Sequence, residues 1–186
     1  MAQRRTFVLV DGENIDATLG NNVLGRRPAP DERPRWERVT DFVREGWDQP
    51  VTGLFFLNAT NGALPTAFVQ ALLAMDYRPV PLAGDGGEEK VVDVGIQRTL
   101  AALLEHDDAD VVLVSHDADF ARDLGNLLDG RRQLALIGFR EFMSQQLSGL
   151  GIKVFDLEDD VAAFRQPLPR VRIIPLSTFD PEQFLR

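Results

Sequence analysis

Short runs of apolar residues alternate with longer amphipathic stretches along the chain. Several runs, such as Val51–Leu57 and Val111–Val114, are almost continuously apolar, which is typical of strands buried on both faces of a parallel sheet. Strands are predicted at Thr6–Val10, Val51–Leu57, Tyr77–Leu82, Val111–Val114, Leu134–Ile137 and Ile152–Phe155. Helices are predicted between them at Trp36–Trp47, Leu64–Met75, Glu89–Glu105, Ala118–Leu128 and Phe142–Leu150. Because this alternation requires right-handed crossovers between parallel strands, it predicts a three-layer α/β/α sandwich with a central, mostly parallel sheet.

Two segments do not follow the alternation. Gly20–Arg35 contains three prolines and is expected to be a loop, either functional or disordered. The last part of the chain contains four prolines around a short apolar run, Val171–Leu176. We therefore expect one domain at residues 1–160 and an extended C-terminal tail at 161–186. The tail is expected to cross either its own domain or a partner subunit, and a homodimer is expected on that ground.

Composition narrows the class of protein. The 186 residues suffice for one domain, and the absence of cysteine excludes disulfides, zinc–thiolate sites and thiol catalysis. No apolar run has the length of a membrane span, and the short basic start, Met1–Arg5, is not followed by a signal-peptide pattern, so no membrane association and a cytoplasmic location are expected. The net charge of −9 argues against a broad nucleic-acid-binding surface, but a metal-binding carboxylate cluster is itself acidic.

Aspartates stand at positions that a doubly wound sheet brings together. The first predicted strand ends at Asp11, and the fourth is followed by Asp117 and Asp119. In the strand order 3-2-1-4-5 the first and fourth strands are neighbours at the switch point, where ligands bind. Asp93 lies early in the helix before the fourth strand and is expected to face the same crevice.

Carboxylates gathered in this way have a chemical use. Mg²⁺ and Mn²⁺ prefer hard oxygen ligands, and such an ion can activate water and neutralise charge on a phosphoryl group. Each acid also has a purely structural interpretation. Asp11 would end a turn, Asp117 would cap a helix, Asp119 would lie in its first turn, and Asp93 would be an incidental acid at a helix start. The joint placement of the four favours a metal site.

Three short motifs resemble those of the NYN domain, which belongs to the PIN-like superfamily. They are Val10-Asp11-Gly12-Glu13-Asn14-Ile15, Lys90-Val91-Val92-Asp93-Val94 and Ser115-His116-Asp117-Ala118-Asp119-Phe120. Leu136-Ile137-Gly138 matches the usual end of the next strand. The resemblance covers Thr6–Asp156 and is greatest to the LabA-like bacterial subgroup. It implies a PIN-like, Rossmann-like fold.

The resemblance also implies an activity. NYN domains are Mg²⁺- or Mn²⁺-dependent nucleases that usually act on RNA and leave a 5′-phosphate. Transferred by motif, the catalytic metal ligands are Asp11, Asp93, Asp117 and Asp119. Asn14 is expected to orient Asp11 or a water, and Ser115 to bind a carboxylate or a phosphate. Lys90 is expected either to contact the scissile phosphate or to be a solvated lysine at the helix start.

This sequence departs from the family motif at two positions. His116 stands where glycine is usual, and Ala118 replaces a small hydroxyl residue. His116 either donates a proton to a leaving group or lies at the rim of the crevice, and we expect the rim. Arg26 and Arg27 belong to an arginine-rich stretch with few compensating acids. They either hold a nucleic-acid backbone or lie in a solvated loop.

The sequence therefore predicts a metal-dependent endoribonuclease acting on single-stranded or structured RNA. The alternative is a regulatory or scaffold protein that keeps the fold and metal site but binds a partner through its tail and arginine-rich loop. Other enzyme classes have little support, because the chain lacks a Gly-x-Ser-x-Gly elbow and a Gly-x-Gly-x-x-Gly dinucleotide motif.

Overall fold

The computed structural model describes residues 3–85 and 90–186. Across these described residues, six strands form one all-parallel sheet in the order β3-β2-β1-β4-β5-β6. The strands are β1 (Arg5–Asp11), β2 (Val51–Asn58), β3 (Tyr77–Leu82), β4 (Ala109–Val114), β5 (Leu134–Gly138) and β6 (Lys153–Asp156). The predicted α/β fold is confirmed, and β1 lies beside β4 as expected. Their carboxyl ends therefore meet at the switch point of the sheet.

The helices agree less closely with the prediction. They are α1 (Gly12–Thr18), α2 (Trp36–Trp47), α3 (Thr66–Ala74), α4 (Val91–Leu103), α5 (Ala121–Asn126) and α6 (Gln145–Ser148). The sequence reading missed α1, which begins at a glycine but is capped by the Asp11 carboxylate, and a π-helical turn at Leu19–Leu24 extends it into the predicted loop. In the part of the chain that the structure describes, no helix is long and apolar enough to cross a bilayer.

Two predicted helices are shorter than expected. The stretch Ala118–Leu128 divides into a 3₁₀ turn at Ala118–Phe120 and α5, which ends at the poor helix formers Gly125 and Asn126. The stretch Phe142–Leu150 retains only α6, whose first turn is capped by Ser144. The predicted helix at Glu89–Glu105 is observed as α4, and Glu89 itself lies outside the described residues.

The two faces of the sheet are covered by different helices. Strand side chains alternate between them, so that Val8 and Val10 pack with α1, α2 and α3, whereas Leu9 packs with α4, α5 and α6. β4 is buried along its whole length, as its continuous apolar run predicted. The result is a three-layer sandwich whose rigid core fixes the strand ends.

The chain after β6 has two unlike parts. The first packs on its own domain: the Ala163 amide donates to the Leu157 carbonyl at 2.9 Å, and the Arg35 amide donates to the Ala163 carbonyl at 2.7 Å. The second part, residues 171–185, is largely exposed and carries only 3₁₀ turns. We call residues 171–185 the C-terminal arm. The division at residue 160 stays a prediction.

Candidate metal centre

Asp11 is buried at the point where β1 passes into α1. Its carboxylate is 2% exposed and accepts hydrogen bonds from the Ser115 hydroxyl at 2.9 Å and the Asn14 amide at 3.3 Å. Ser115 follows β4, and the pairing of Val10 with Val114 places it beside Asp11. Parallel pairing therefore delivers the predicted contact between Ser115 and a carboxylate.

The environment of Asp11 disfavours its charge. Burial raises the pKa of Asp11 to about 6, and the Asp93 and Asp117 carboxylates add to the rise. Hydrogen bonds from Ser115 and the Asn14 amide oppose the rise without cancelling it. The pKa of Asp93 is also raised, first by burial and then by Asp117 and Asp119, although Lys90 opposes the shift. The exposed Lys90 therefore does not offset the burial and like charge around Asp93.

Three of the four predicted ligands form a compact group. One carboxylate oxygen each from Asp93, Asp117 and Asp119 lies within 4.8 Å of the other two. Asp93 belongs to the first turn of α4, and the other two follow β4. Asp11 is not part of this group, but it lines a crevice of about 390 Å³ together with Asp93 and Asp117. Asp119 is not among the described residues that line this crevice. Three of the four acids therefore lie close enough to share one ion, and Asp11 lies beside them.

Asp117 also has the structural role that the sequence left open. One of its oxygens, Oδ1, accepts a hydrogen bond from the Asp119 amide at 2.9 Å and caps the 3₁₀ turn. The Asp117 amide in turn donates to the Ser115 hydroxyl at 3.2 Å. Because a carboxylate has two oxygens, capping through Oδ1 is compatible with metal binding through Oδ2.

Lys90 is the cation next to the aspartate group. Its Nζ lies 3.2 Å from an Asp119 oxygen and 3.4 Å from an Asp93 oxygen, and its side chain is 65% exposed. The hydrogen bond to Asp119, followed by that to Asp93, raises the pKa of Lys90. A divalent ion would compete with this exposed ammonium for the same oxygens.

His116 does not lie at the rim of the crevice. It is 5% exposed, and its ring stacks on Phe139 with the centroids 5.7 Å apart. Nε2 accepts from the Phe139 amide at 2.7 Å, so Nδ1 carries the proton and donates to Asn14 Oδ1 at 2.8 Å. Burial lowers the pKa of His116 to about 4. The expectation of a rim residue or a proton donor is therefore wrong: His116 is a neutral, buried connector.

Asn14, the partner of His116, contacts Asp11 through its backbone, and its expected contact with a water stays a prediction. The Asn14 side chain accepts from both the backbone and the ring of His116, at 2.9 and 2.8 Å, so only the Asn14 backbone amide contacts Asp11. Space for the imidazole comes from Gly138, where an added Cβ would lie 2.7 Å from His116 Nε2. Gly138, at the end of the neighbouring strand β5, thus accommodates the histidine that departs from the family motif.

Arg26 and Arg27 are exposed, and neither is among the described residues that line the crevice. Arg26 pairs with Glu32 at 2.6 Å, and Arg33 pairs with Asp16 at 2.6 Å. The expectation of few compensating acids is wrong, because folding supplies acids from nearby turns and from α1.

Two polar residues of the crevice were missed by the sequence reading. Glu13 and Asn58 both line it. Partial burial, and then the Asp93 carboxylate, raise the pKa of Glu13. A signal existed for each: Glu13 lies inside the first motif, and Asn58 ends β2, the other neighbour of β1.

Comparison with known proteins identifies the family. The NYN domain model matches residues 5–150, and the chain belongs to that family. No curated protein matches the sequence. A crystal structure of a protein of unknown function from Vibrio parahaemolyticus is similar, with a TM-score of 0.62 and 21% identity, over 85% of this chain and 95% of that chain. That likeness supports the fold alone. Family membership indicates a PIN-like nuclease domain with nucleic acid as its substrate.

Proposed function

We propose that this NYN-domain chain is a divalent-metal-dependent endoribonuclease that hydrolyses single-stranded or structured RNA. The observation that carries the proposal is the group of three aspartate oxygens within 4.8 Å of one another at the switch point of the sheet. Asp11 completes the crevice. We further propose Mg²⁺ or Mn²⁺ as the ion, membership of the LabA-like subgroup, and a cytoplasmic location.

The donor set fits such an ion. All donors are carboxylate oxygens, the ligands that hard cations prefer. Oxygens on one ion, each at about 2.0–2.6 Å from it, lie at most about 4–5 Å apart, which matches the spacing within the group. Asp117 is half-buried and Asp119 is exposed, so waters and a phosphate have access. Like-charge crowding around Asp93 is the condition that a cation relieves.

The protein's own residues position and hold these groups. The bound ion would supply an activated water and neutralise charge on the phosphate. Ser115 and the Asn14 amide fix the Asp11 carboxylate, and the Asp119 amide fixes that of Asp117. Lys90, exposed at the mouth of the crevice, is proposed to contact the scissile phosphate.

The test is cleavage of end-labelled single-stranded RNA with Mn²⁺. Cleavage is expected to fall by about 100-fold or more in Asp117→Asn, because even residues behind the ligands contribute about 10–100-fold, and to vanish with EDTA. Asp107→Asn is the matched control, since it removes an 84% exposed carboxylate from the loop before β4, at the opposite edge of the sheet. Equal cleavage by both variants would contradict the proposal.

A second candidate function is partner binding, and the C-terminal arm favours it. Val171 is 95% exposed, Ile173 99% and Leu176 87%, an unusual density of exposed large apolar side chains. We propose a homodimer, or a scaffold complex, through this arm. Light scattering on the full chain should show a larger mass than for Ile173→Ser/Leu176→Ser. If the protein acts through partner binding and not through cleavage, Asp117→Asn will retain both the assembly and the cellular role.

A further inference from the structure

A groove of about 560 Å³ adjoins the crevice that Asp11, Asp93 and Asp117 line, which we call the metal crevice. Its floor is the end of β2, including Phe55, together with Trp36. One wall is the start of α1, with Glu13 and Asp16, and the other is formed by Pro30–Pro34 and the first turn of α3. Most of its surface is contributed by aromatic, proline and aliphatic side chains, unlike the acidic crevice beside it.

The groove and the crevice lie side by side. Glu13 lines both, and Gly12 follows Asp11 directly. A Cβ on Gly12 would lie 2.5 Å from the Phe55 ring, so the glycine allows that ring to pack against the backbone beside the candidate ligand. Since consecutive Cα atoms are about 3.8 Å apart, the apolar groove begins one residue away from Asp11.

Three aromatic rings that pack edge-to-face line the groove. Phe55 lies edge-to-face with Trp36 at 5.1 Å and with Phe68 at 5.2 Å. Trp36 and Phe55 are buried, whereas Phe68 on α3 is half-buried and lines the groove. Ala67 and Pro65 beside it are exposed. Phe68 therefore offers ring surface that is already held in place by its neighbours.

We propose that this groove binds a nucleobase of single-stranded nucleic acid, next to the phosphate held at the aspartates; this rests on the proposed function. A base is flat and neutral and can stack on Phe68, and its polar edge can reach Glu13 or Arg33 at the rim. The groove presents the Glu13 carboxylate and mostly apolar surface to a phosphate, whereas a cation held at the aspartates would attract the backbone to the metal crevice. A base can enter only when it is unpaired, so the groove selects single strands over duplex.

The test measures binding of the full chain to a short fluorescein-labelled single-stranded RNA by anisotropy. Ca²⁺ is the ion, because it accepts the same oxygen ligands, and a gel verifies that the probe stays intact. The same RNA with abasic nucleotides is the second probe. Phe68→Ala should weaken binding of the intact RNA about 5- to 150-fold and leave the affinity for the abasic RNA unchanged.

Further variants make the outcome decisive. Ala67→Glu places a carboxylate in the groove from an exposed helix position and should weaken binding even where Phe68→Ala perturbs folding. Phe184→Ala, which removes a 62% exposed ring from the C-terminal arm, should bind like the wild type. Thermal melting verifies the fold of each variant.

Several results would overturn the nucleobase site: equal affinity for intact and abasic RNA, equal affinity for duplex, no binding by the wild type, or wild-type binding by both groove variants. The Mn²⁺ cleavage assay is independent of these readouts. Base-dependent binding without cleavage would retain the groove and reject the nuclease. Cleavage without base-dependent binding would retain the nuclease and reject the groove.

Discussion

Two carboxylate clusters lie at the same edge of the sheet and differ in how their charge is balanced. The first is the metal crevice, lined by Asp11, Asp93 and Asp117, with Asp119 close to the last two. The second, which we call the arginine cluster, lies at the ends of β5 and β6 and consists of Arg170, Asp156, Glu141 and Glu158. Both depend on chain segments that converge at strand ends, so position in the fold does not explain the difference.

Every carboxylate of the arginine cluster contacts a guanidinium: Arg170 contacts all three, and Arg172 also contacts Glu158. Arg170 is 2% exposed, and its two terminal nitrogens each donate to one oxygen of Asp156 at 2.7 Å. Burial works against the ionised carboxylate, but Arg170 and backbone amides outweigh it and hold the pKa of Asp156 well below its usual range. The guanidinium also lies over the Phe139 ring, at 5.0 Å. The cluster ties the segment before the C-terminal arm to the domain.

Charge in the metal crevice is left unbalanced. Its only cation among the described lining residues is the exposed Lys90, and the pKa values of Asp11 and Asp93 are raised, whereas that of Asp156 is lowered. In the arginine cluster the buried Asp156 carboxylate is paired through both of its oxygens. The crevice carboxylates are held by hydrogen bonds but remain short of positive charge, which is what a site for an external cation requires.

Removing the arginine of the paired cluster should have the largest effect. Arg170→Met leaves Asp156 buried without its counter-ion, and the free energy of unfolding should fall by about 3–5 kcal/mol. Urea denaturation measures it. Arg172→Met is the control, because Arg172 is 39% exposed and should be nearly neutral. A loss below about 1 kcal/mol in Arg170→Met would show that the cluster is dispensable.

Neutralising a carboxylate of the crevice should raise the free energy of unfolding, whereas Arg170→Met lowers it. Folded Asp11 has a pKa of about 6, against 3.8 ordinarily, so its contribution to stability is present below about pH 3.8 and is lost as pH rises through 6. The Asp11→Asn variant has no carboxyl group to ionise, so it does not lose this stability as the pH rises. Its stability relative to the wild type should therefore increase between pH 4 and pH 7, by up to about 3 kcal/mol, since a tenfold change in proton affinity is about 1.4 kcal/mol.

Urea denaturation at the two pH values measures this difference, with Asp107→Asn as the surface control. A constant gap between Asp11→Asn and the wild type across this pH range would contradict the assignment of Asp11 as a strained carboxylate.

Mn²⁺ should stabilise the protein through the metal crevice and not through the arginine cluster, by an amount similar to the pH effect on Asp11. At a Mn²⁺ concentration 100 times its Kd, the wild type should gain about 2.7 kcal/mol in stability, because the ion binds only the folded chain. Asp93→Asn/Asp117→Asn should lose this gain, whereas Arg170→Met should retain it from its lower baseline. Thermal melting with Mn²⁺ and EDTA measures both. An equal shift in all three proteins would place the ion elsewhere.

Removing Lys90 should have the smallest effect. Lys90→Met removes an exposed cation that competes for Asp93 and Asp119, so Mn²⁺ affinity should tighten a few-fold with little change in stability. Calorimetric titration measures the affinity. Lys153→Met, which removes the other lysine of the chain, is the control. Weaker Mn²⁺ binding by Lys90→Met would mean that the lysine supports the site instead of competing for it.

The parts that the sequence predicted correctly depend on local pattern and connectivity. Continuous apolar runs identified the buried strands, and the rule for parallel crossovers placed the end of β1 beside the end of β4. The short helices were less predictable. Polar α1 has little apolar periodicity, and α5 and α6 are held by caps and tertiary packing more than by propensity.

The sequence by itself determined that Asp11 and Asp117 reach the carboxyl edge of the sheet, because a residue that follows a buried parallel strand has only one edge of the sheet to occupy. Only the tertiary structure decided which charges are paired there. Arg170 meets Glu141, which lies 29 positions away, and His116 fits beneath Gly138. These contacts depend on distances between segments that no local pattern encodes. The same reason explains why arginine contacts every carboxylate of the arginine cluster, whereas Lys90 is the only cation among the described residues that line the crevice.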